Sequence, residues 1–377
     1  MNMMASPVDP DGLMEFSVVF TDRSLNHMSK SFQHVMTDLN SMVCDVYQAE
    51  TSVIVPGGGT FGMEAVARQF ATDANVMVIR NGWFSYRWTQ IFEAGGISAE
   101  TTVIKASQTG NESTSSFAPE SIETVTAKIR EIRPGVVFAP HVETSAGVIL
   151  PDDYLKAVAE AAHDVGALFV LDCIASGCIW VDMKATGVDV LVSAPQKGWS
   201  ASPCAGLVML SARAIERLNE TKATSFSLDL KKWHDIMQAY VGGGHAYHST
   251  MPTDALSVFR DRMIETREFG FDLARERQWE LGTKVRALVA RHGFKSVAAP
   301  GFEAPGVVVS YTKDPEFQNG KKFMAEGMQI AAGVPLMCDE PADFRTFRIG
   351  LFGLDKLGDV DATVAKLETV LDKIATA

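Results

Sequence analysis

Short apolar runs alternate with helical segments from Thr51 to about Ser211. Seven runs rich in aliphatic side chains read TSVIVP, NVMVIR, TTVIK, GVVFAP, ALFVLD, DVLVSAP and AGLVML. Continuously apolar strands are typical of a sheet that is buried on both faces, and helical crossovers between strands favour parallel neighbours. We therefore predict an α/β fold in which seven strands form a mostly parallel sheet flanked by helices.

The pattern changes after Ser211. The segment 254–292 is predicted to be one long helical stretch. It is followed by predicted strands at 294–298, 306–311 and 346–351 and by predicted helices at 316–326 and 359–374. This order favours a smaller α+β domain at the C-terminal end, and 377 residues are enough for one large and one small domain.

Composition and charge argue against several classes of partner. The net charge of −12 argues against nucleic acid and anionic membranes. No apolar run approaches the length of a transmembrane helix, and the first residues lack the basic and apolar parts of a secretory signal. Five cysteines without a CxxC pair favour a reduced protein over a disulfide framework. We expect a cytoplasmic protein with no membrane or nucleic-acid partner and no metal site.

The stretch 190–207, VLVSAPQKGWSASPCAGL, contains the strongest catalytic candidate. Lys197 closes an apolar run and has few charged neighbours. A desolvated lysine has a lowered pKa, and its neutral amine can attack an aldehyde. We interpret Lys197 as the residue that holds an aldehyde cofactor as a Schiff base. Asp172, at the end of the preceding apolar run, is interpreted as the carboxylate that tunes the cofactor ring. The alternatives are a structural lysine and an aspartate that caps a turn.

Three further segments follow predicted strands. The turn 57–60, GGGT, opens a helix, and backbone N–H groups at a helix N-terminus suit a phosphate; the alternative is a tight strand-to-helix turn without a ligand. No GxGxxG is present, so a dinucleotide fold is not expected. The aromatic segment 83–88 can supply a ring that stacks on a planar cofactor. The segment 141–147, HVETSAG, would lie at the carboxyl edge of the sheet, where ligands bind in open α/β folds.

Arg348 lies within the apolar run TFRIGLFG. A buried arginine needs an anionic partner, and a substrate carboxylate would provide one through two parallel hydrogen bonds. The alternative is a structural ion pair with Asp339, Glu340 or Asp343.

These motifs, in this order, resemble the class V, fold-type I pyridoxal 5'-phosphate (PLP) aminotransferases. The similarity runs from about Val53 to Gly353 and is strongest to the alanine–glyoxylate and serine–glyoxylate (serine–pyruvate) branch. It implies a PLP-dependent transaminase that moves the amino group of alanine or serine to glyoxylate or pyruvate in a ping-pong cycle. It also implies a homodimer with shared active sites.

The resemblance assigns roles to individual residues. The implied cofactor contacts are Gly58, Gly59, Thr60 and Gln196 at the phosphate, Phe84 stacked on the ring, Ser145 beside the cofactor, Asp172 at the ring nitrogen, Ile174 against the ring, Lys197 at the aldehyde, and Tyr247 and Thr250 at the phosphate of the partner subunit. Trp83 is the alternative to Phe84 as the stacked ring. Arg348 is implied to bind the substrate carboxylate.

The N-terminus departs from the family pattern. A Pro-Gly-Pro segment usually lines the substrate pocket, but this chain has MEFSVVFTDRSLNHMSKSF instead. We predict three parts, namely an N-terminal segment over 1–25 that lines the active site, a large PLP-binding domain over 26–255 and a small domain over 256–377. The amino donor and the keto acceptor stay open, and Arg87 and Arg345 are candidates to bind a second acidic group.

Two further functions share this fold. A cysteine desulfurase or related lyase usually has one histidine before the lysine and another on the ring, where this chain has Gln196 and Phe84. Cys338 would be the reactive thiol of such an enzyme. The second alternative is a PLP-binding protein without catalysis.

Overall fold

The computed structural model describes residues 24–375. The predicted N-terminal segment over 1–25 therefore lies almost entirely outside the described residues, and its role stays a prediction. The boundary between the two predicted domains, at 255/256, also stays a prediction.

The strands of the described chain follow the sequence runs closely. In chain order they are β1 (Thr51–Pro56), β2 (Asn75–Arg80), β3 (Glu100–Lys105), β4 (Ser107–Gln108), β5 (Phe117–Ala118), β6 (Val136–Pro140), β7 (Val142–Glu143), β8 (Val148–Ile149), β9 (Leu168–Asp172), β10 (Val190–Ser193), β11 (Ala205–Leu210), β12 (Val307–Tyr311), β13 (Ala331–Ala332) and β14 (Thr346–Gly350).

The helices cover most of the remaining chain. They are α1 (Lys30–Tyr47), α2 (Gly59–Phe70), α3 (Trp83–Gly95), α4 (Ile122–Ile132), α5 (Asp152–Asp164), α6 (Met183–Thr186), α7 (Ala212–Glu220), α8 (Leu230–Val241), α9 (Thr253–Phe269), α10 (Phe271–Arg291), α11 (Pro315–Gln318), α12 (Lys321–Ala325), α13 (Leu354–Leu357) and α14 (Val360–Ile374). None of them is long and apolar enough to cross a membrane.

The central sheet of the described chain has seven strands in the order β1-β11-β10-β9-β6-β2-β3. The neighbours from β10 to β3 pair in parallel, whereas β11 is antiparallel to both β1 and β10. The four middle strands β11, β10, β9 and β6 are buried, and so are most residues of β1 and β2, because helices cover both faces of the sheet. The predicted mostly parallel seven-stranded sheet is confirmed.

The predicted long helix over 254–292 is wrong in one respect. It consists of two helices, α9 and α10, that meet at Gly270 with a φ of 98°. This left-handed backbone favours glycine and cannot continue a helix. The predicted helix at 316–326 is also divided, because Gly320 has a φ of 79° between α11 and α12.

A second sheet of three antiparallel strands, in the order β12-β14-β13, lies in the C-terminal part. The predicted strand at 294–298 is not a strand, because this segment forms only isolated bridges, from Ser296 to Ser310 and from Ala298 to Phe117. The short strand β13 was not predicted, since two alanines carry no period that could identify a strand.

Helix α2 lies unusually close to β11. A Cβ atom on Gly206 would be 2.7 Å from both the Cα and the N of Gly62, so only glycine permits this approach. The contact fixes the N-terminal end of α2 beside the carboxyl edge of the parallel strands.

Candidate active site

The carboxyl ends of the middle strands meet at one edge of the sheet. The register pairs Asp172, the last residue of β9, with Pro140 of β6 and Val192 of β10. A cavity of about 480 Å³ opens at this edge. Its polar and aromatic lining includes Thr60, Phe84, Arg87, Thr144, Asp172, Gln196, Lys197, Arg348 and Phe352. Gly58, Gly59 and Ile174 also line it.

Lys197 follows β10 and reaches this cavity. Its ammonium nitrogen lies 5.0 Å from the centroid of the Phe352 ring. Burial lowers the pKa of Lys197, and the nearby charge of Arg348 lowers it further. The side chain makes no hydrogen bond or ion pair with residues 24–375. The amine is therefore biased towards the neutral, nucleophilic form and is available to a ligand.

Asp172 is a buried carboxylate at the same edge. Burial raises the pKa of Asp172 to about 7, and the charge of Glu143 raises it further, while the backbone N–H of Ile174 and the charge of Arg87 lower it. The Ile174 amide donates to Oδ1 at 2.9 Å. Asp172 has no ion-pair partner among the described side chains. A cationic ring nitrogen would supply the missing positive charge.

The turn between β1 and α2 lies across the cavity lining. Gly58 precedes the helix with an extended backbone, and no side chain caps the first turn. A Cβ atom on Gly59 would lie 2.5 Å from Cδ1 of Ile174, so the turn packs closely against this side chain, which is predicted to contact the cofactor ring. The side-chain amide of Gln196 has a buried oxygen without a hydrogen-bond partner in the described chain. Free N–H groups at the start of a helix fit a phosphate, and Gln196 could donate to it only through its amide nitrogen, because an amide oxygen accepts.

Phe84 and Trp83 have different surroundings. Phe84 lines the cavity, whereas Trp83 packs on Tyr86 with 5.6 Å between ring centroids and is not part of the lining. The guanidinium of Arg348 lies 5.5 Å from the centroid of the Phe84 ring. This position supports Phe84 as the aromatic ring of the site.

Glu143 holds the N-terminal turn of α3, which carries Phe84. Its carboxylate accepts the backbone N–H groups of Phe84 at 3.1 Å and Ser85 at 2.9 Å, and the Ser85 hydroxyl at 2.7 Å. A carboxylate is favoured at this position because the helix N-terminus carries partial positive charge. Glu143 was not predicted as a site residue, although an acidic side chain inside HVETSAG was a visible signal.

Ser145 lies beside Glu143 rather than at the cavity. Its hydroxyl donates to Glu143 at 2.7 Å and accepts the backbone N–H of Trp83 at 2.9 Å. The side chain is fully buried, and Thr144 is the hydroxyl residue of this segment that lines the cavity. The side chain of Ser145 therefore does not line the cavity with the other predicted cofactor contacts.

Arg348 lies on β14 and points into the cavity from the second sheet. Its Nε donates to the carbonyl of Ala332 at 2.7 Å, and burial lowers its pKa while Glu143 raises it. The ion pairs considered from the sequence do not form. Asp339 pairs with Lys105, and Glu340 accepts three backbone N–H groups of its own loop. Arg348 has no carboxylate partner within residues 24–375, which leaves it available to an anionic ligand.

Tyr247 and Thr250 lie outside this cavity. Their hydroxyl groups are 3.3 Å apart, and they line a separate small pocket together with Ser24 and Leu25. Tyr247 is 56% exposed, which is high for an aromatic residue. A role at the site of a partner subunit stays a prediction.

Cys338 is a poor candidate for a reactive thiol. It is 4% exposed, and its sulfur donates to the carbonyl of Arg80 at 3.4 Å. Burial raises the pKa of Cys338 to about 12, with a further increase from the charges of Glu143 and Glu340. The thiolate that a desulfurase requires is therefore disfavoured.

The family model for "Aminotransferase class-V" matches residues 15–288. The chain belongs to the class V aminotransferase family. Two aminotransferases are similar over most of its length. "Alanine--glyoxylate aminotransferase 1" of Saccharomyces cerevisiae is 27% identical over 82% of both chains. "2-aminoethylphosphonate--pyruvate transaminase" of Paraburkholderia phymatum is 27% identical over 94% of this chain and 90% of the relative.

A solved structure supports the fold of this class V aminotransferase. Alanine–glyoxylate aminotransferase from Nostoc sp. superposes with a TM-score of 0.76 at 23% identity, covering 92% of this chain and 89% of that chain. The cofactor of the family is PLP, and the cavity fits it. It combines an unpaired lysine, an unpaired buried aspartate and a glycine turn at a helix N-terminus, all within the described chain.

Proposed function

We propose that this aminotransferase moves the amino group of a small amino acid, of the alanine or serine type, to glyoxylate or pyruvate. One observation supports this most directly, namely that Lys197 and Arg348 line the same cavity without ion-pair partners in the described chain. The relatives named for alanine–glyoxylate and aminoethylphosphonate–pyruvate transfer support small keto acids as acceptors.

The proposed roles follow from the chemistry of each side chain. PLP, when bound, supplies the electron sink and carries the amino group between the two half-reactions. Lys197 would hold the cofactor aldehyde, and its neutral amine would take the proton from the substrate Cα as a base and return it later as an acid. Arg348 binds the substrate carboxylate and orients the Cα–H bond, which is a positioning contribution.

The remaining residues hold the cofactor. Asp172 is proposed to pair with the ring nitrogen and keep it protonated, and Phe84 and Ile174 to contact the two faces of the ring. Gly58, Gly59, Thr60 and Gln196 are proposed to bind the phosphate. The pKa of Asp172, which burial raises, supports this pairing because a cationic partner would stabilise the buried carboxylate.

Replacement of Lys197 tests the assignment. Lys197→Ala should abolish transfer from alanine or serine to glyoxylate and pyruvate, while the protein still folds. Lys295→Ala is a matched control, because Lys295 is an exposed lysine paired with Glu112. Full activity of Lys197→Ala would contradict the proposal. A matrix of amino donors against both acceptors identifies the substrates, and sulfide release from cysteine would instead favour a lyase.

We also propose a cytoplasmic homodimer in which Tyr247 and Thr250 complete the partner's site. Hybrid dimers test this directly. Lys197→Ala chains are mixed with chains that carry Tyr247→Ala and Thr250→Ala. If the sites are shared, one site of each hybrid has both defects and the other is intact, so activity is recovered. If both residues serve their own chain, every site is defective and no activity returns.

A further inference from the structure

Arg87 has no role in the proposed transfer reaction, although its side chain lines the cavity. It lies on α3, one turn after Phe84, and its guanidinium is 5.3 Å from the centroid of that ring. One guanidinium nitrogen donates to the hydroxyl of Thr60 at 3.1 Å. No carboxylate within residues 24–375 forms an ion pair with Arg87.

Three cationic residues among the described ones line this cavity, and two have separate roles. Lys197 is required at the cofactor aldehyde. Arg348 is held on the second sheet by the carbonyl of Ala332. Arg87 alone of the three hydrogen-bonds to the turn that begins α2. The cavity therefore has one cation beside its predicted phosphate site.

The charge of a phosphate makes such a cation useful. A phosphate monoester carries a charge of about −1.5 to −2 at neutral pH. The N-terminus of a helix offers only about half a positive charge, and Thr60 and Gln196 are neutral. An arginine can donate two parallel hydrogen bonds to phosphate oxygens and balance the remaining charge.

We propose that Arg87 binds the cofactor phosphate and balances its charge. We call the binding site that it would form with Gly58, Gly59, Thr60 and Gln196 the phosphate cup. The inference depends on PLP as the cofactor and not on which amino acid is the substrate. It also accounts for an arginine beside Phe84 that forms no ion pair in the described chain, although its charge lowers the pKa of Asp172.

A purely structural role for Arg87, or a role in substrate binding, would lead to different results. Arg87 would be a structural tie between α2 and α3 if its hydrogen bond to Thr60 were its whole role. It would be a substrate residue if it bound a second acidic group, such as the phosphonate of 2-aminoethylphosphonate or the side-chain carboxylate of glutamate.

Binding of pyridoxamine 5'-phosphate and of pyridoxamine distinguishes these cases. Neither compound forms a covalent bond with Lys197, so their dissociation constants report only non-covalent contacts. We expect Arg87→Gln to raise the dissociation constant of pyridoxamine 5'-phosphate by about ten- to a hundred-fold, because hydrogen bonds to a charged group are lost. The dissociation constant of pyridoxamine should stay nearly unchanged. Arg87→Lys should retain part of the preference.

Arg345→Gln is the matched control, because this arginine lines a different surface groove and donates to the carbonyl of Lys313. It should leave both dissociation constants unchanged. Equal weakening of both compounds by Arg87→Gln would show a structural tie and overturn the proposal. The ratio of the two dissociation constants could instead stay unchanged while kcat/KM falls for glutamate or 2-aminoethylphosphonate but not for alanine. That result would assign Arg87 to substrate binding and would also overturn the proposal. Inactivity of every donor tested with the wild-type enzyme would affect only the proposed function.

Discussion

The carboxylate of Glu143 accepts the backbone N–H of Phe84 at 3.1 Å. The short strand β7, which ends at Glu143, thereby fixes the first turn of α3 and with it the aromatic ring that lines the cavity. Glu143 is fully buried, and Ser145 donates to it at 2.7 Å from the same loop. The pair of segments 83–85 and 143–145 is one hydrogen-bonded unit beside the cofactor site.

Glu143→Gln should therefore destabilise the protein by about 2 kcal/mol or more, because an amide nitrogen replaces one acceptor and leaves buried donors unpaired. It should also weaken pyridoxamine 5'-phosphate, since the position of Phe84 changes. Urea unfolding at fixed protein concentration measures the first effect. Ser145→Ala is the graded control and should cost about 1 kcal/mol, because Glu143 keeps its bonds to Phe84 and Ser85 and only the half-buried N–H of Trp83 loses its acceptor. Equal stability of Glu143→Gln and wild type would contradict this role.

Asp172 should make the cofactor-free protein less stable as the pH rises. Its pKa is raised from 3.8 to about 7, mainly by burial, so the folded state binds the proton more tightly than the unfolded state. The Asp172 proton therefore adds to the free energy of unfolding, and this contribution is complete below about pH 4. It is lost as the pH rises through about 7, and the whole loss is about 4 kcal/mol.

The difference between wild type and Asp172→Asn isolates this contribution, since other groups titrate equally in both. Urea unfolding of the two cofactor-free proteins between about pH 5 and 8 should give curves that diverge, with wild type losing more stability. Parallel curves would mean that Asp172 is ionised at low pH in the folded protein.

The sequence predicted the sheet and most of the cavity because both depend on local patterns. Lys197, Asp172 and Arg348 each stand in an apolar run, which identifies a polar residue that folding must bury. The contact of Ser145 with the cofactor, which the family resemblance implied, stays a prediction; its hydroxyl is bonded to Glu143 and Trp83, and the direction of a loop hydroxyl depends on such partners. The break at Gly270 had a local signal, since a glycine inside a helical pattern can end the helix, whereas the strand β13 depends on tertiary packing and has no signal in a short window.

The contact between Arg87 and Thr60 could not be predicted from the sequence either. Its sequence position, three residues after Phe84, places both on one face of a helix. Only the packing of α2 against α3 brings it to Thr60, and this contact joins segments that are separated by a strand and a turn.

The cysteines should react slowly in the native protein. Cys173, Cys178, Cys204 and Cys338 are buried, and burial raises the pKa of each. We expect Cys338→Ala to retain transaminase activity at a cost of about 1 kcal/mol in stability, and we expect no sulfide release from cysteine by wild type. Titration with a chromogenic disulfide at about pH 8, before and after unfolding, measures the protection. Rapid labelling of Cys338, or sulfide release that Cys338→Ala removes, would favour the lyase alternative.

The close approach of α2 to β11 predicts different outcomes for two glycine substitutions. A Cβ on Gly206 would meet backbone atoms of Gly62 at 2.7 Å and the carbonyl oxygen of Gly58 at 2.9 Å. These atoms can move only with the whole helix, so Gly206→Ala should cost about 1–3 kcal/mol, as overpacking does elsewhere.

Gly58→Ala is the control for that substitution, because a Cβ there meets nothing within 4 Å and the backbone is extended, with a φ of −161°. Its unfolding free energy should stay within about 0.5 kcal/mol of wild type. Since α2 presents its N-terminal amides to the cavity, Gly206→Ala should also weaken pyridoxamine 5'-phosphate more than pyridoxamine. Urea unfolding of both variants compares their stability, and ligand titration compares Gly206→Ala with wild type, because Gly58 itself belongs to the proposed phosphate contacts. If Gly206→Ala is no less stable than Gly58→Ala, then β11 does not fix the position of α2, and the phosphate cup must be held in place by its contact with α3.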